Sequence, residues 1–199
     1  MKRKTIKIIL VSIVTVLLIL TAVLCFKGCS CAKLDHMNYK GHAYTPAPGY
    51  EAVRTKWPIG IENGYFMFAL ANDPETKFID PQNGLKLPRY LLVRDDVVLP
   101  SISRDAIERI SVETPSGRMM DMGQDAKDRF VDLLQNDDGR IYGDSAHEIA
   151  YQVRFYFADL PQIYYATWMY QKGSDYSLLL ENGETIVIPD IGALAELGF

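Results

Sequence analysis

The chain has 199 residues, of which 48% are hydrophobic and 23% are charged, and its formal net charge is −4 at pH 7. Seven basic residues and one acidic residue precede position 41, so the 14 basic and 24 acidic residues that follow give residues 41–199 a net charge of −10. Nucleic-acid binding and flat adsorption to anionic lipid both need clustered cations, so this acidic body argues against both.

The first predicted element is the segment of residues 8–26, which is uncharged and almost wholly apolar. A helix of these nineteen residues would be about 28 Å long, close to the roughly 30 Å hydrocarbon core of a bilayer. The apolar part of a cleavable secretory signal is shorter, about 7 to 15 residues. The sequence therefore predicts an uncleaved single-pass transmembrane anchor.

Basic residues flank this segment unequally. Four lie within residues 1–7, whereas Lys27, Lys33 and Lys40 are spread more thinly after the span. By the positive-inside rule, residues 1–7 are predicted to be a short cytoplasmic tail, and the C-terminal domain is predicted to lie outside the membrane.

All three cysteines lie at the predicted membrane boundary, at Cys25, Cys29 and Cys31. The fold of the body therefore cannot depend on internal disulfides. Lipidation of Cys29 is an alternative, because the small residue Gly28 precedes it. The protein would then be a lipoprotein. Cys29 and Cys31 could also pair between copies or stay as thiols. A single Cys-x-Cys is a weak metal motif, and we predict neither a metal nor a cofactor.

Residues 27–56 contain glycines and prolines without an apolar period, which predicts a flexible stalk. Residues 57–199 then form a single extracytoplasmic domain, long enough for one hydrophobic core. Its first half is predicted to hold mostly short strands, around residues 65–71 and in a hairpin of residues 90–93 and 97–99. The second half is predicted to open with a strand, a turn and a strand at residues 107–113 and 119–122, on either side of Pro115-Ser116-Gly117.

The second half of the domain has the clearest periodicities. An amphipathic helix is predicted over Gln124–Gln135, with an apolar face of Ala126, Phe130, Leu133 and Leu134. Ile149–Phe157 alternates as a half-buried strand does, and short turns connect it to three further strands at residues 163–171, 176–180 and 184–188. The predicted class is α+β, with one main helix packed on a C-terminal four-strand antiparallel meander.

Four aspartates recur at helical spacing, and they would form one stripe if the helix began as early as residue 121. The stripe could meet a cation or a basic partner, or it could be the solvated face of the helix. Its members are Asp121, Asp125, Asp128 and Asp132.

Aromatic residues crowd the predicted meander and give a second candidate site. The second face of the sheet would carry Tyr156, Tyr164, Trp168 and Tyr170. If this face is exposed, these side chains form an amphipathic platform of the kind enriched at protein interfaces. If the first half of the domain covers it, both faces are core.

Catalytic signals are weak. His147 is the only histidine of the predicted domain, and it lies two residues after Ser145 without a nucleophile-elbow, phosphate-loop or zinc-helix motif. Residues 134–145 resemble a calcium loop in spacing, but Leu134 and Ser145 replace the first and last ligands. We therefore predict no catalytic residues.

An apolar anchor, a stalk and a cysteine-free acidic domain are typical of bacterial cell-envelope proteins. The leading prediction is a membrane-anchored, non-catalytic module that binds a protein or another envelope component through its sheet. Two alternatives stay open. One is an envelope hydrolase using His147 with Ser145, and the other is an inhibitor or immunity-type protein that presents the aspartate stripe to a basic partner.

Overall fold

The computed structural model describes residues 15, 34, 36–62, 64–82, 90–135, 149–172, 175–180 and 185–188. These residues form one helix, α1 (Gln124–Gln135), and thirteen strands. In chain order the strands are β1 (Met37–Tyr39), β2 (His42–Pro48), β3 (Tyr50–Ala52), β4 (Thr55–Glu62), β5 (Tyr65–Leu70), β6 (Phe78–Gln82), β7 (Tyr90–Arg94), β8 (Ile107–Glu113), β9 (Met119–Asp121), β10 (Ile149–Phe157), β11 (Ile163–Lys172), β12 (Asp175–Leu179) and β13 (Thr185–Ile188).

The strands form two antiparallel sheets. The N-terminal sheet has the order β1-β2-β7-β6-β5-β4. The C-terminal sheet has the order β13-β12-β11-β10-β8-β9, and β3 also pairs with β11. One core cluster joins Leu70, Phe78 and Leu91 of the first sheet to Val153 and Phe155 of the second. The two sheets therefore face each other in a sandwich-like arrangement.

The predicted α+β class is wrong, because most of the described chain is strand and the first half builds a whole second sheet. Strands β10 to β13 pair antiparallel in sequence, but they are only part of a seven-stranded sheet. Helix α1 lies against this sheet, with the rings of Phe130 and Phe155 stacked at a centroid distance of 6.2 Å. It shares the inner face of the sheet with the N-terminal sheet instead of covering that face alone.

Within the predicted stalk of residues 27–56, the part that the structure describes forms strands β1, β2 and β3 and the start of β4. Tyr44 on β2 is only 1% exposed. Strand β2 contains two prolines, which lack the N–H that a sheet ladder uses. They lie beyond the last residue that pairs with β1, where β2 is hydrogen-bonded to β7 alone.

Gly49 connects the two sheets. Pro48 ends β2 in the N-terminal sheet, and Tyr50 begins β3 in the C-terminal sheet, so one residue carries the chain across. Its φ of +78° lies in the left-handed region, and a Cβ here would stand 2.5 Å from a ring carbon of Tyr165. Glycine is therefore required by both the backbone and the packing.

The predicted hairpin of residues 90–93 and 97–99 is wrong. Strand β7 pairs with β2 and β6, and residues 97–99 are not a strand. Strand β7 is hydrogen-bonded to β2 on one side and to β6 on the other. Neither side of β7 is therefore free to pair with residues 97–99, which follow the turn at Asp95 and Asp96.

The second face of the N-terminal sheet carries a smaller buried cluster, which includes Leu34, Tyr44, Met67 and Leu92. Within the described part of the chain there is no helix long and apolar enough to cross a membrane. The predicted anchor, residues 8–26, lies outside the described residues except for Thr15, and so does Cys29. Both assignments stay predictions.

Candidate binding face

The candidate site is the outer face of the C-terminal sheet, on the side opposite the core. Strand β10 separates the inner face from the outer face. Its residues Tyr151, Val153, Phe155 and Phe157 are buried, and the residues between them are partly exposed on the other side of the sheet. We define the outer face by the side chains of Glu51, Arg109, Ser111, Glu113, Asp121, Gln152, Arg154, Tyr156, Tyr164, Ala166, Trp168 and Tyr170, as the strand registers place them.

All four predicted aromatic residues lie on this face. Tyr156 and Tyr164 are direct cross-strand partners with ring centroids 5.3 Å apart. Trp168 stands opposite Gln152, and Tyr170 is two residues further along β11. Tyr164 is the most buried of the four at 8% exposure, and the other three are partly exposed. The N-terminal sheet packs on the opposite, inner face.

Two arginines lie over the tyrosine rings. The guanidinium carbon of Arg109 is 3.8 Å from the ring centroid of Tyr156, and that of Arg154 is 5.3 Å from the centroid of Tyr164. Arg154 also forms an ion pair with Glu113 and donates a hydrogen bond to Gln152 Oε1 at 2.8 Å. These cation–π and ionic contacts hold the aromatic rings and the guanidinium groups in a fixed ladder.

Asp121 completes the ladder at its β9 end. Arg109 Nη1 donates to Asp121 Oδ1 at 3.0 Å, and the hydroxyl of Ser111 donates to the same oxygen at 2.6 Å. Ser111 is fully buried beneath these side chains. Asp121 therefore belongs to the sheet and not to the helix.

At the other end of the ladder, Tyr164 connects β11 to β3. Its hydroxyl donates a hydrogen bond to Glu51 Oε2 at 2.6 Å. Burial of the ring, and after it the hydrogen bond to Glu51, raises the pKa of the Tyr164 hydroxyl well above its ordinary value. Tyr164 thus stays neutral and acts as a donor at physiological pH.

The predicted aspartate stripe is divided in the structure, because helix α1 begins only at Gln124. Asp125 is exposed in the first turn of the helix, and Asp128 accepts a hydrogen bond from Gln124 at 3.0 Å. Asp132 is hydrogen-bonded to Arg104, which lowers the pKa of its carboxyl group. The helix thus presents three of the four aspartates, and Asp121 contributes to the outer face instead.

The period-two alternation of β10 places Arg154 on the same face as Tyr156. Sequence reasoning missed Glu51 and Arg109, which join the aromatic residues only through strand pairings that no local pattern reveals. It also missed an exposed apolar area on edge strand β4, where Trp57 is 87% exposed and Ile61 is 60% exposed. The alternation of β10 was the one signal that located the outer face.

Ser145 and His147 lie outside the described residues, as does the calcium-loop-like segment after Gln135. In the ranges that the structure describes, no group of three or more acidic, histidine or cysteine side chains could hold a metal ion. Comparison of the chain with protein-family models, curated proteins and solved structures found no match.

Proposed function

We propose that the protein is a single-pass, membrane-anchored extracytoplasmic module that binds a protein or another component of the cell envelope on the outer face of its C-terminal sheet. The observation that carries this proposal is the ladder in which Arg109 and Arg154 lie over Tyr156 and Tyr164, with partly exposed Trp168 beside it. Tyrosine, tryptophan and arginine are the residue types that dominate binding energy at protein interfaces.

The internal pairing of the face supports a binding role. Arg109 is paired with Asp121, Arg154 with Glu113, and Glu51 accepts a hydrogen bond from Tyr164. The charges of the two arginines are therefore compensated before a partner arrives, Glu51 is held by a neutral donor, and the large side chains are already ordered. A partner that covers them loses little side-chain entropy, which is the main benefit of a preorganised surface.

Photo-crosslinking in the membrane tests the proposal. The full-length chain would carry p-benzoylphenylalanine at position 170 on the outer face, or at position 66, where Phe66 is 43% exposed on the other sheet. We expect a discrete crosslinked adduct from position 170 and none from position 66. Equal adducts from both positions would contradict the proposal.

The two tryptophans of the chain provide a matched control. Trp168→Ala, introduced with the position-170 crosslinker, should reduce the adduct at least tenfold, because it removes a large anchor of the face. Trp57→Ala removes an equally large exposed ring from β4 and should leave the adduct unchanged. Tyr156→Ala should behave as Trp168→Ala does.

The alternative inhibitor function would use the aspartates of helix α1, and its binding would weaken steeply with salt. A partner on the helix would then crosslink to p-benzoylphenylalanine at the exposed position 129, and Asp125→Asn combined with Asp128→Asn would abolish that adduct. On the proposed function, these changes leave the position-170 adduct intact. The hydrolase alternative, with Ser145 and His147, stays a prediction.

The proposed location has its own test, which is protease treatment of intact cells carrying a C-terminally tagged chain. Loss of the tag from intact cells would agree with an external domain, held either by the predicted anchor or by a lipid on Cys29. Protection until the cells are permeabilised would contradict the proposed orientation.

A further inference from the structure

A cleft of about 810 Å³ opens where the C-terminal sheet divides. Along one edge of β11, residues 163–165 pair with β3, and residues 169–172 pair with β12. Strands β3 and β12 therefore occupy the same edge of β11 one after the other and leave a gap beside Thr167. Tyr165, Thr167 and Leu178 form the sheet wall of the cleft, and Leu99 and Leu134 close it from the loop after β7 and from helix α1.

The charge of the lining distinguishes this cleft from the rest of the surface. Within the described residues its wall holds only uncharged side chains, although 23% of the whole chain is charged. A charged ligand entering the cleft would lose hydration without gaining an opposite charge, which is unfavourable. The lining therefore selects against ions.

The polar groups of the wall are largely engaged within the protein. The hydroxyl of Tyr50 donates to the carbonyl of Pro100 at 3.2 Å, and the hydroxyl of Thr167 donates to the carbonyl of Leu179. Gln135 Nε2 donates to the carbonyl of Ile102 at 3.1 Å. The surface offered to a ligand is thus mainly aromatic and aliphatic, as in sites for apolar small molecules.

A second cavity of about 170 Å³ indicates an elongated shape for the occupant. It shares Tyr165, Thr167, Leu179 and Leu180 with the cleft, and its remaining wall includes Trp168 and the carboxylate-bearing Glu51 of the outer face. The gap in the sheet is therefore lined on both of its sides by the same four residues. A chain-like molecule lying in the cleft would point one end toward this gap.

We propose that the cleft binds a neutral, elongated apolar molecule of the class of long-chain alcohols and uncharged lipids. Its volume falls within the roughly 300–1,000 Å³ of typical small-molecule sites, and its uncharged lining matches a ligand without charge. No residue of the proposed partner-binding face lines the 810 Å³ cleft, although Glu51 and Trp168 of that face line the second cavity. Variants and labelled peptides within the cleft therefore test the ligand site separately from partner binding.

The test uses the full-length chain in membranes and a diazirine-bearing decanol as the probe. After irradiation, we expect labelled peptides from residues 99–102 or 178–180. Excess decanol should reduce this labelling at least fivefold, whereas decanoate and decylammonium at the same free concentration should leave it unchanged. Labelling that decanoate suppresses as strongly as decanol would overturn the proposal, as would labelling confined to residues outside the cleft.

Two neighbouring residues provide a matched pair of variants. Leu99 lines the cleft, so Leu99→Trp should fill it and reduce labelling at least fivefold. Val98 is 90% exposed and does not appear in the wall, so Val98→Trp should leave labelling unchanged. If Leu99→Trp fails to fold, Ser101→Trp places the same ring at an exposed position of the lining. Equal labelling in the filled variant and in Val98→Trp would contradict the proposal.

Discussion

At the scale of single residues, Gly49 is a position where even one added methyl group is unfavourable. Gly49→Ala would put a Cβ 2.5 Å from the Tyr165 ring and would force alanine to a φ of +78°. The left-handed backbone costs about 1–2 kcal/mol, and the displaced ring adds a packing penalty. We expect a loss of about 2–4 kcal/mol in the free energy of unfolding, measured by urea denaturation.

Gly117 is the control for this prediction, because its φ is +81° and no atom lies within 4 Å of its added Cβ. Gly117→Ala should therefore show only the backbone cost of about 1–2 kcal/mol. Equal losses in the two variants would show that contact with Tyr165 contributes nothing.

Tyr164 is predicted to make stability sensitive to alkaline pH. Burial and the hydrogen bond to Glu51 raise the pKa of Tyr164 in the folded protein, so the folded state holds this proton more tightly than the unfolded state does. The resulting stabilisation is complete below the unfolded pKa of about 10 and is lost as pH rises beyond it.

Tyr164→Phe removes this titration. The variant should be less stable than the wild type at pH 7 by about 1–3 kcal/mol, because the hydrogen bond to a carboxylate is lost. The difference should shrink as the pH is raised from 9 to 11, measured by urea denaturation at each pH. A constant difference across this range would contradict the assignment.

At the scale of elements, Lys127 attaches helix α1 to the sheet. This lysine is only 7% exposed, and its Nζ donates to the carbonyl of Ile107 at 3.0 Å and to that of Glu108 at 3.4 Å. Lys127→Met keeps an apolar stem but leaves these carbonyls without their charged donor. We expect a loss of about 1–3 kcal/mol in urea denaturation.

Arg129 lies on the exposed side of the same helix and serves as the control. Arg129→Met should change stability by less than about 0.5 kcal/mol. If the two variants were equally stable, the contact of Lys127 with β8 would not hold the helix in place.

The sequence predicts best those elements whose apolar periodicity can be read from their own residues alone. Helix α1 and β10 have the expected bounds because their burial repeats or alternates with the period of the element. The bounds of β8 are also as expected, because the Pro115-Ser116-Gly117 turn that follows it is a local signal. Strands β1 and β3 are only three residues long, and two prolines lie within β2, so none of the three shows such a pattern in the sequence. Their partners lie far along the chain: β2 pairs with β7, and β3 pairs with β11.

The same distinction applies to the candidate face. The period-two alternation of β10 predicts that Tyr156 lies opposite the buried residues of that strand, whereas the register with β11 decides which aromatic residues of β11 share its face. The contacts of Arg109 with Tyr156, and of Tyr164 with Glu51, depend on registers between strands that are distant in sequence. No local pattern fixes those registers, so the compensation of charges on the face became visible only in the structure.

At the scale of the whole molecule, residues 37–52 tie the two sheets together. Strands β1 and β2 extend the N-terminal sheet, and after Gly49 strand β3 joins the C-terminal sheet. Ala47 and Tyr50, on either side of this crossover, both belong to the main core cluster. A segment that resembles a linker in composition therefore contributes to both sheets and to the core between them.

This arrangement yields a prediction that a flexible stalk would not. Tyr44 is 1% exposed on β2, and its hydroxyl donates to the carbonyl of Thr76 at 2.5 Å. Tyr44→Ala should lower the free energy of unfolding by about 3–5 kcal/mol, as for other large aromatic residues removed from a core. His42 is exposed on the same strand, so His42→Ala should change stability by less than about 0.5 kcal/mol. Urea denaturation of the two variants tests this prediction. If these residues were a solvated stalk, neither substitution would change the free energy of unfolding.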